Sequence, residues 1–134
     1  MSVGSWEPKQ TVTESGTAGD IKRELLLQFI DSVEAQSPLQ ETLDSDALQA
    51  SHLIRLSASA WQKETARWDN SQLWRLIQFF TLAEQQLPGW DAGAESAVIP
   101  LARALRQRRA PLEREQLQWI KQHSSNRYLP YGPL

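Results

Sequence analysis

The sequence predicts an all-α protein, a single compact and tryptophan-rich helical bundle of about five helices. Apolar residues recur with the 3.6-residue period of an amphipathic helix along every long stretch, and no stretch alternates with the period of a strand. At 134 residues, 40% of them apolar and 22% charged, the chain has the size and composition of one globular domain. We expect a flexible N-terminal arm over residues 1–18, a helical domain over residues 19–134 and an extended C-terminal tail.

The composition excludes several classes of site and of location. The chain has no cysteine, which rules out disulfides, cysteine nucleophiles and thiolate metal sites. Residues 1–18 are polar and without a period, so they bury too little apolar surface to offset the entropy of ordering. The start of the chain lacks the pattern of a signal peptide, and no apolar run is long enough to span a bilayer. We predict a cytoplasmic protein without a membrane partner.

Two helices are predicted in the first half of the chain. Asp20 is the expected N-cap of a helix that ends near residue 36, and Ser37-Pro38 then starts a short helical turn. A second long helix is expected from residues 44–46 to about Trp68, with Asp46 and Gln49 spaced as a variant capping box. Its small residues at 57–60 would let another helix approach closely.

Three more helices and a tail are predicted in the second half. Residues 71–86 form a helix that is apolar around most of its circumference, which is typical of a helix at the centre of a fold. Residues 87–90 end this helix, and residues 91–96 form an acidic loop. Pro100 and Pro111 suit the first turns of a fourth helix, to about Arg108, and a fifth, to about His123. After Asn126 the prolines disfavour helix, and we expect Tyr128, Leu129 and Tyr131 to dock onto the helices.

The charge is divided unevenly along the chain. Residues 1–97 contain seven Lys or Arg and fourteen Asp or Glu, whereas residues 98–134 contain seven Lys or Arg and two Asp or Glu. The net charge of −2 therefore conceals an acidic part and a basic part. Such asymmetry is typical of a surface that faces an anion or a partner.

A binding surface is therefore predicted in the C-terminal third. Its candidate residues are the arginines around the fourth helix, the loop tryptophan and the tyrosines and arginine of the tail: Trp90, Arg103, Arg106, Arg108, Arg109, Arg127, Tyr128 and Tyr131. The simpler interpretation, a solvated helix end whose arginines complement the helix dipole, remains open. Two further alternatives also remain open: Trp90 as a lid over the end of the third helix, and a tail that is offered to a partner groove.

No catalytic, cofactor or metal site is predicted. His52 and His123 are the only histidines, and neither belongs to a zinc or di-iron motif. The carboxylate pairs lie at predicted helix ends or exposed faces, where capping and solvation explain them. No phosphate loop or nucleophile elbow is present.

The sequence favours a small non-enzymatic binding or adaptor protein that contacts an anionic partner, and it favours a protein as that partner. One alternative is a small-ligand-binding protein or enzyme with a pocket near Trp90, Arg103 and Arg127. A nucleic-acid accessory protein is a further alternative, which the acidic pI of about 5.7 disfavours.

Overall fold

The computed structural model describes residues 21–132, which contain seven α-helices and no strand. The all-α prediction is confirmed, although these helices outnumber the five expected. The predicted arm over residues 1–18 lies outside the described residues. No helix within residues 21–132 is long and apolar enough to cross a membrane. The helices are α1 (Arg23–Ala35), α2 (Leu39–Thr42), α3 (Ser45–Leu48), α4 (Ala58–Thr65), α5 (Asn70–Gln86), α6 (Val98–Gln107) and α7 (Arg114–His123).

The first helix begins slightly later than the sequence suggested. Lys22 occupies the N-cap position of α1 without a side-chain hydrogen bond, and the expected cap, Asp20, lies outside the described residues. The helix ends where Gln36 adopts a left-handed conformation with φ of 57°. The short turn expected after Pro38 is α2, and its first residue, Leu39, is fully buried.

The second long helix was predicted wrongly, because the chain from residue 45 to 65 forms three short pieces. These are α3, a 3₁₀ helix (Ser51–Arg55) and α4. Asp44, not Asp46, caps α3 by accepting a hydrogen bond from the Ala47 N–H at 2.9 Å. The Ser57 hydroxyl oxygen accepts from the N–H of Ala60 at 3.2 Å and so starts α4. Short polar side chains of this kind compete with helix continuation by bonding the backbone locally.

The break also gives a buried indole its hydrogen-bond partner. Trp61 is fully buried, and its Nε1 donates to the Leu53 carbonyl oxygen at 3.0 Å. In one continuous helix that carbonyl would accept from the backbone N–H of Ser57. Here it accepts from the Leu56 N–H in a longer bond of 3.4 Å, and its remaining capacity serves an indole that would be costly to bury without an acceptor.

The central helix is α5, as predicted. Asp69 and Gln72 form a reciprocal capping box at its start, with N···O distances of 2.8 and 3.0 Å. Contacts with α1, α2, α6 and α7 cover its sides. Nearly all of its middle is buried, and this includes the amide side chain of Gln78.

An aromatic cluster joins α1 and α5 to the loop that follows α5. The rings of Phe29 and Phe79 are stacked with centroids 3.9 Å apart, and Phe80 lies edge-on to both. Trp90 packs perpendicular to Phe79 at 5.7 Å, and Trp61 packs perpendicular to Phe80 at 5.5 Å. Edge-to-face pairs of this type contribute beyond the area that they bury.

The last two helices agree with the sequence in outline. Pro100 lies in the first turn of α6. The final helix, α7, begins at Arg114, three residues after Pro111, because Glu113 is the N-cap and its N–H donates to Gln116 Oε1 at 2.7 Å. The tail was expected to be extended, but residues 127–131 form turns.

We predict that Phe80→Ala destabilises the protein by roughly 3–5 kcal/mol, because removing this fully buried ring leaves a large cavity. Urea unfolding measures the change. Leu27→Ala is the control, since Leu27 is 37% exposed, and its midpoint of unfolding should stay near that of the wild type. Equal midpoints for the two variants would contradict a central position for α5.

Candidate basic interface

Two arginines on α6 form the centre of the basic surface. Arg103 and Arg106 are both exposed and lie three residues apart on the helix. Tyr131 from the tail contacts both of them. Arg103 Nη2 donates to the Tyr131 carbonyl oxygen at 3.0 Å, and the guanidinium carbon of Arg106 lies 4.3 Å from the centroid of the Tyr131 ring. The tail therefore orients both guanidinium groups without neutralising them.

The tail reaches α6 through a turn that needs a glycine. Gly132 has φ of +92°, and a Cβ there would lie 3.3 Å from both Arg103 Nη2 and a methyl group of Ile99. Its N–H donates to the Tyr128 carbonyl oxygen and closes the turn. Leu129 is only 8% exposed, which agrees with the expectation that it docks onto the helices. Residues 128–132 thus lie against the fold in the free protein.

Arg127 and Tyr128 form a local pair at the edge of this surface. Arg127 Nη2 lies 3.1 Å from the Tyr128 hydroxyl oxygen, and its guanidinium carbon is 5.1 Å from the ring centroid. The hydrogen bond with Tyr128 raises the pKa of Arg127, so this exposed side chain is a permanent cation.

The structure separates Arg108 from the other arginines. Its Nη1 donates to the Trp68 carbonyl oxygen at 2.8 Å and to Asn70 Oδ1 at 3.1 Å, and its Nη2 donates to the Thr65 carbonyl oxygen. Arg108 therefore joins the end of α6 to the segment between α4 and α5. Its guanidinium group is engaged in hydrogen bonds within the fold. Arg109 follows it in a left-handed conformation with φ of 61° and is exposed.

Trp90 does not lie on the surface that the sequence assigned it to. Only 1% of it is exposed, because it packs among the phenylalanine rings of the core. Its place in a loop after Pro88-Gly89 suggested accessibility, but a loop residue can fold inwards over a helix end. Trp90 is therefore removed from the candidate surface.

A half-buried carboxylate holds the loop before α6 and the segment after α7 against α5. Glu84 Oε2 accepts from the Ser96 hydroxyl at 2.8 Å, and Oε1 accepts from Asn126 Nδ2 at 3.0 Å. The same amide nitrogen donates to the Gly93 carbonyl oxygen at 2.9 Å. No local sequence pattern predicted this network. The single acidic residue of a largely apolar helix was the available signal, but its partners are 12 and 42 residues away.

The Glu84 network is structural and does not resemble a catalytic centre. Burial raises the pKa of Glu84, and the hydrogen bonds from Ser96, Ala92 and Asn126 offset part of that effect. Ser96 is fully buried, so its hydroxyl cannot reach a substrate. Among the described residues, no group of three or more His, Asp or Glu side chains could hold a metal ion.

The alternative pocket was predicted near Trp90, Arg103 and Arg127. Arg103 lines a small cleft of about 130 Å³ between α4 and α6. Trp90 lies in the core, and neither it nor Arg127 lines that cleft or either of two larger ones. None of these three clefts therefore brings the three residues together.

We predict that Glu84→Ala destabilises the fold more than Glu84→Gln, because alanine leaves three hydrogen-bond donors without their acceptor, at a cost of about 1–3 kcal/mol for each buried one. The raised pKa also means that the folded state binds the Glu84 proton more tightly than the unfolded state. Protonation therefore stabilises the fold as the pH falls from neutral towards that pKa.

Urea unfolding of the wild type and Glu84→Gln between neutral and mildly acidic pH measures this linkage. The difference in unfolding free energy between the two should shift in favour of the wild type as the pH falls, because glutamine does not titrate. A difference that is independent of pH, or that shifts the other way, would contradict the half-buried position of Glu84.

Comparison with known proteins gives no assignment for this surface. No protein-family model, no curated protein and no solved structure matches the chain. The function is therefore proposed from the chemistry of its residues alone.

Proposed function

We propose that this protein is a non-enzymatic binding protein that contacts an acidic surface of another protein through Arg103, Arg106, Arg109 and Arg127. The observation that supports this most strongly is the way Arg103 and Arg106 are held. A tyrosine carbonyl group and a tyrosine ring orient them, and neither group carries a negative charge. An oriented cation that keeps its charge is suited to pairing with a carboxylate on a partner.

The pattern of ion pairs within the fold supports this interpretation. Within residues 21–132, an ion pair joins Arg75 on α5 to Glu34 on α1, with an N···O distance of 3.6 Å. No described carboxylate lies within 4.0 Å of the guanidinium groups of Arg103, Arg106 or Arg109. The acidic first part of the chain therefore does not neutralise the basic surface through direct pairs within residues 21–132.

The prior ordering of these side chains favours binding. An arginine loses rotamer freedom when it is fixed in an interface, which costs about 0.5–1.5 kcal/mol for a side chain of this kind. Contact with Tyr131 already restricts Arg103 and Arg106 in the free protein. Folding has therefore already removed part of this rotamer freedom. A smaller entropy cost remains when the partner binds, so the binding free energy is more favourable.

A protein partner is favoured over a nucleic acid by the surrounding charge. The chain is acidic overall, and Glu113 and Glu115 are exposed beside the arginines in sequence. A duplex presents a continuous array of phosphates, which these carboxylates and the acidic first part would repel. A discrete cluster of carboxylates on a protein can meet the arginines alone.

We predict that the triple variant Arg103→Gln, Arg106→Gln and Arg109→Gln loses a partner that the wild type captures from nuclease-treated native lysate. The matched control is Lys22→Gln, Lys63→Gln and Lys121→Gln, which removes the same charge from exposed positions on or beside α1, α4 and α7. Its capture should equal that of the wild type. Both variants should keep the helical circular dichroism of the wild type, because none of these side chains is buried.

Capture that survives in the arginine variant would overturn the proposed surface, and so would equal loss in both variants. A partner that nuclease treatment removes would replace the protein partner with a nucleic acid. Raising the salt concentration should weaken wild-type capture, because the contact depends on exposed charges that salt screens.

A further inference from the structure

A second cleft, separate from the arginine surface, lies where α7 approaches the ends of α1 and α5. It has a volume of about 520 Å³, within the range of sites for small molecules. The residues that give it chemical character are two aromatic and three polar side chains: Trp119, His123, Arg75, Gln78 and Gln86. The proposed function uses none of them.

An aromatic platform forms one wall of this cleft. The rings of Trp119 and His123 are stacked with centroids 4.1 Å apart and planes inclined by 19°. His123 Nδ1 lies 2.8 Å from the Trp119 carbonyl oxygen, which fixes the imidazole. Trp74 packs edge-on against Trp119 at 5.7 Å and supports the stack from α5. His123 is exposed, so a flat ring can extend this stack.

Two glutamine side chains line the same cleft as the platform. Gln78 is 8% exposed and lines the cleft, and its Oε1 accepts from Arg75 Nη1 at 3.0 Å. That contact assigns the oxygen of the amide and leaves its Nε2 as the donor, which meets no acceptor among the described residues. Gln86 is similar, because its Oε1 accepts from the Leu39 N–H at 2.9 Å. The cleft thus offers amide donors to a ligand that carries acceptors.

The charge of the cleft favours a neutral ligand over an anion. Arg75 is the cation of the lining, and its Nε lies 3.6 Å from Glu34 Oε2. An anion would therefore meet both charges of this pair. The ring platform, the amide donors and an arginine whose charge Glu34 balances fit a neutral ring better than a phosphate or a carboxylate.

We propose that this cleft binds a neutral, planar heteroaromatic molecule with ring carbonyl or ring-nitrogen acceptors, the chemistry of a nucleobase or a nucleoside. The ring stacks on His123 and Trp119, and its acceptors face the Nε2 donors of Gln78 and Gln86. The arginine surface has no part in this site, so either proposal can fail without the other.

Titration of the intact protein with adenosine or uridine, followed by ¹⁵N–¹H spectra, tests the proposal. Each nucleoside should shift the indole N–H of Trp119 and the side-chain amide of Gln78, and the shifts should saturate by about 10 mM for a dissociation constant near 1 mM. His123→Ala and Gln78→Leu should each weaken binding about tenfold, because one removes the stacking face and the other the donors.

Two controls separate this site from non-specific binding. His52→Ala removes an exposed histidine from a different cleft of about 410 Å³, lined by Asp44 and Asp46, and should leave nucleoside binding unchanged. Ribose alone should not shift Trp119, because it has no ring to stack. The proposal is overturned if neither nucleoside shifts Trp119, if ribose shifts it equally, or if His123→Ala binds as the wild type does.

Discussion

The structure depends on one constraint, which is that α5 has to be covered on nearly every side. Its middle residues are apolar around the helix, so a single packed face would leave much of it in water. Helices α1, α2, α6 and α7 supply the cover, and Trp90 closes it from the following loop. Glu84 is the one acidic residue of α5, and its hydrogen bonds fix the two segments that pass over this part of the helix. The position of the basic surface follows from that arrangement.

The sequence predicted the parts of the fold that depend on periodicity and local capping. The all-α class and the central position of residues 71–86 both follow from the spacing of apolar residues. The prediction failed where tertiary contacts prevail. The interruption between α3 and α4 depends on the caps at Asp44 and Ser57, and the Trp61 indole donates to a backbone carbonyl group within that break. The Glu84 network joins residues too far apart in sequence for any local pattern to show.

The sequence predicted which residues belong to the candidate site, and their arrangement emerged only in the structure. The concentration of arginines in the C-terminal third identified the candidate residues. It could not distinguish Arg108, which donates to backbone carbonyl groups within the fold, from Arg103 and Arg106, which the tail orients. The distinction arises from the turn at Gly132, whose approach to α6 no sequence spacing reveals. The cleft beside Trp119 and His123 was missed for a similar reason, since it requires α1, α5 and α7 to meet.

Hydrogen exchange with and without a short poly-L-glutamate tests most directly whether the acidic partner meets the surface formed by α6 and the tail. The account predicts slower exchange at residues 103–109 and 128–132 when the peptide is present, because its carboxylates pair with arginines that these segments carry or orient. Exchange across α1, α2 and α3, which carry much of the acidic charge, should stay unchanged. Slowing centred on α1 to α3, or no slowing at α6 and the tail, would contradict the proposed surface.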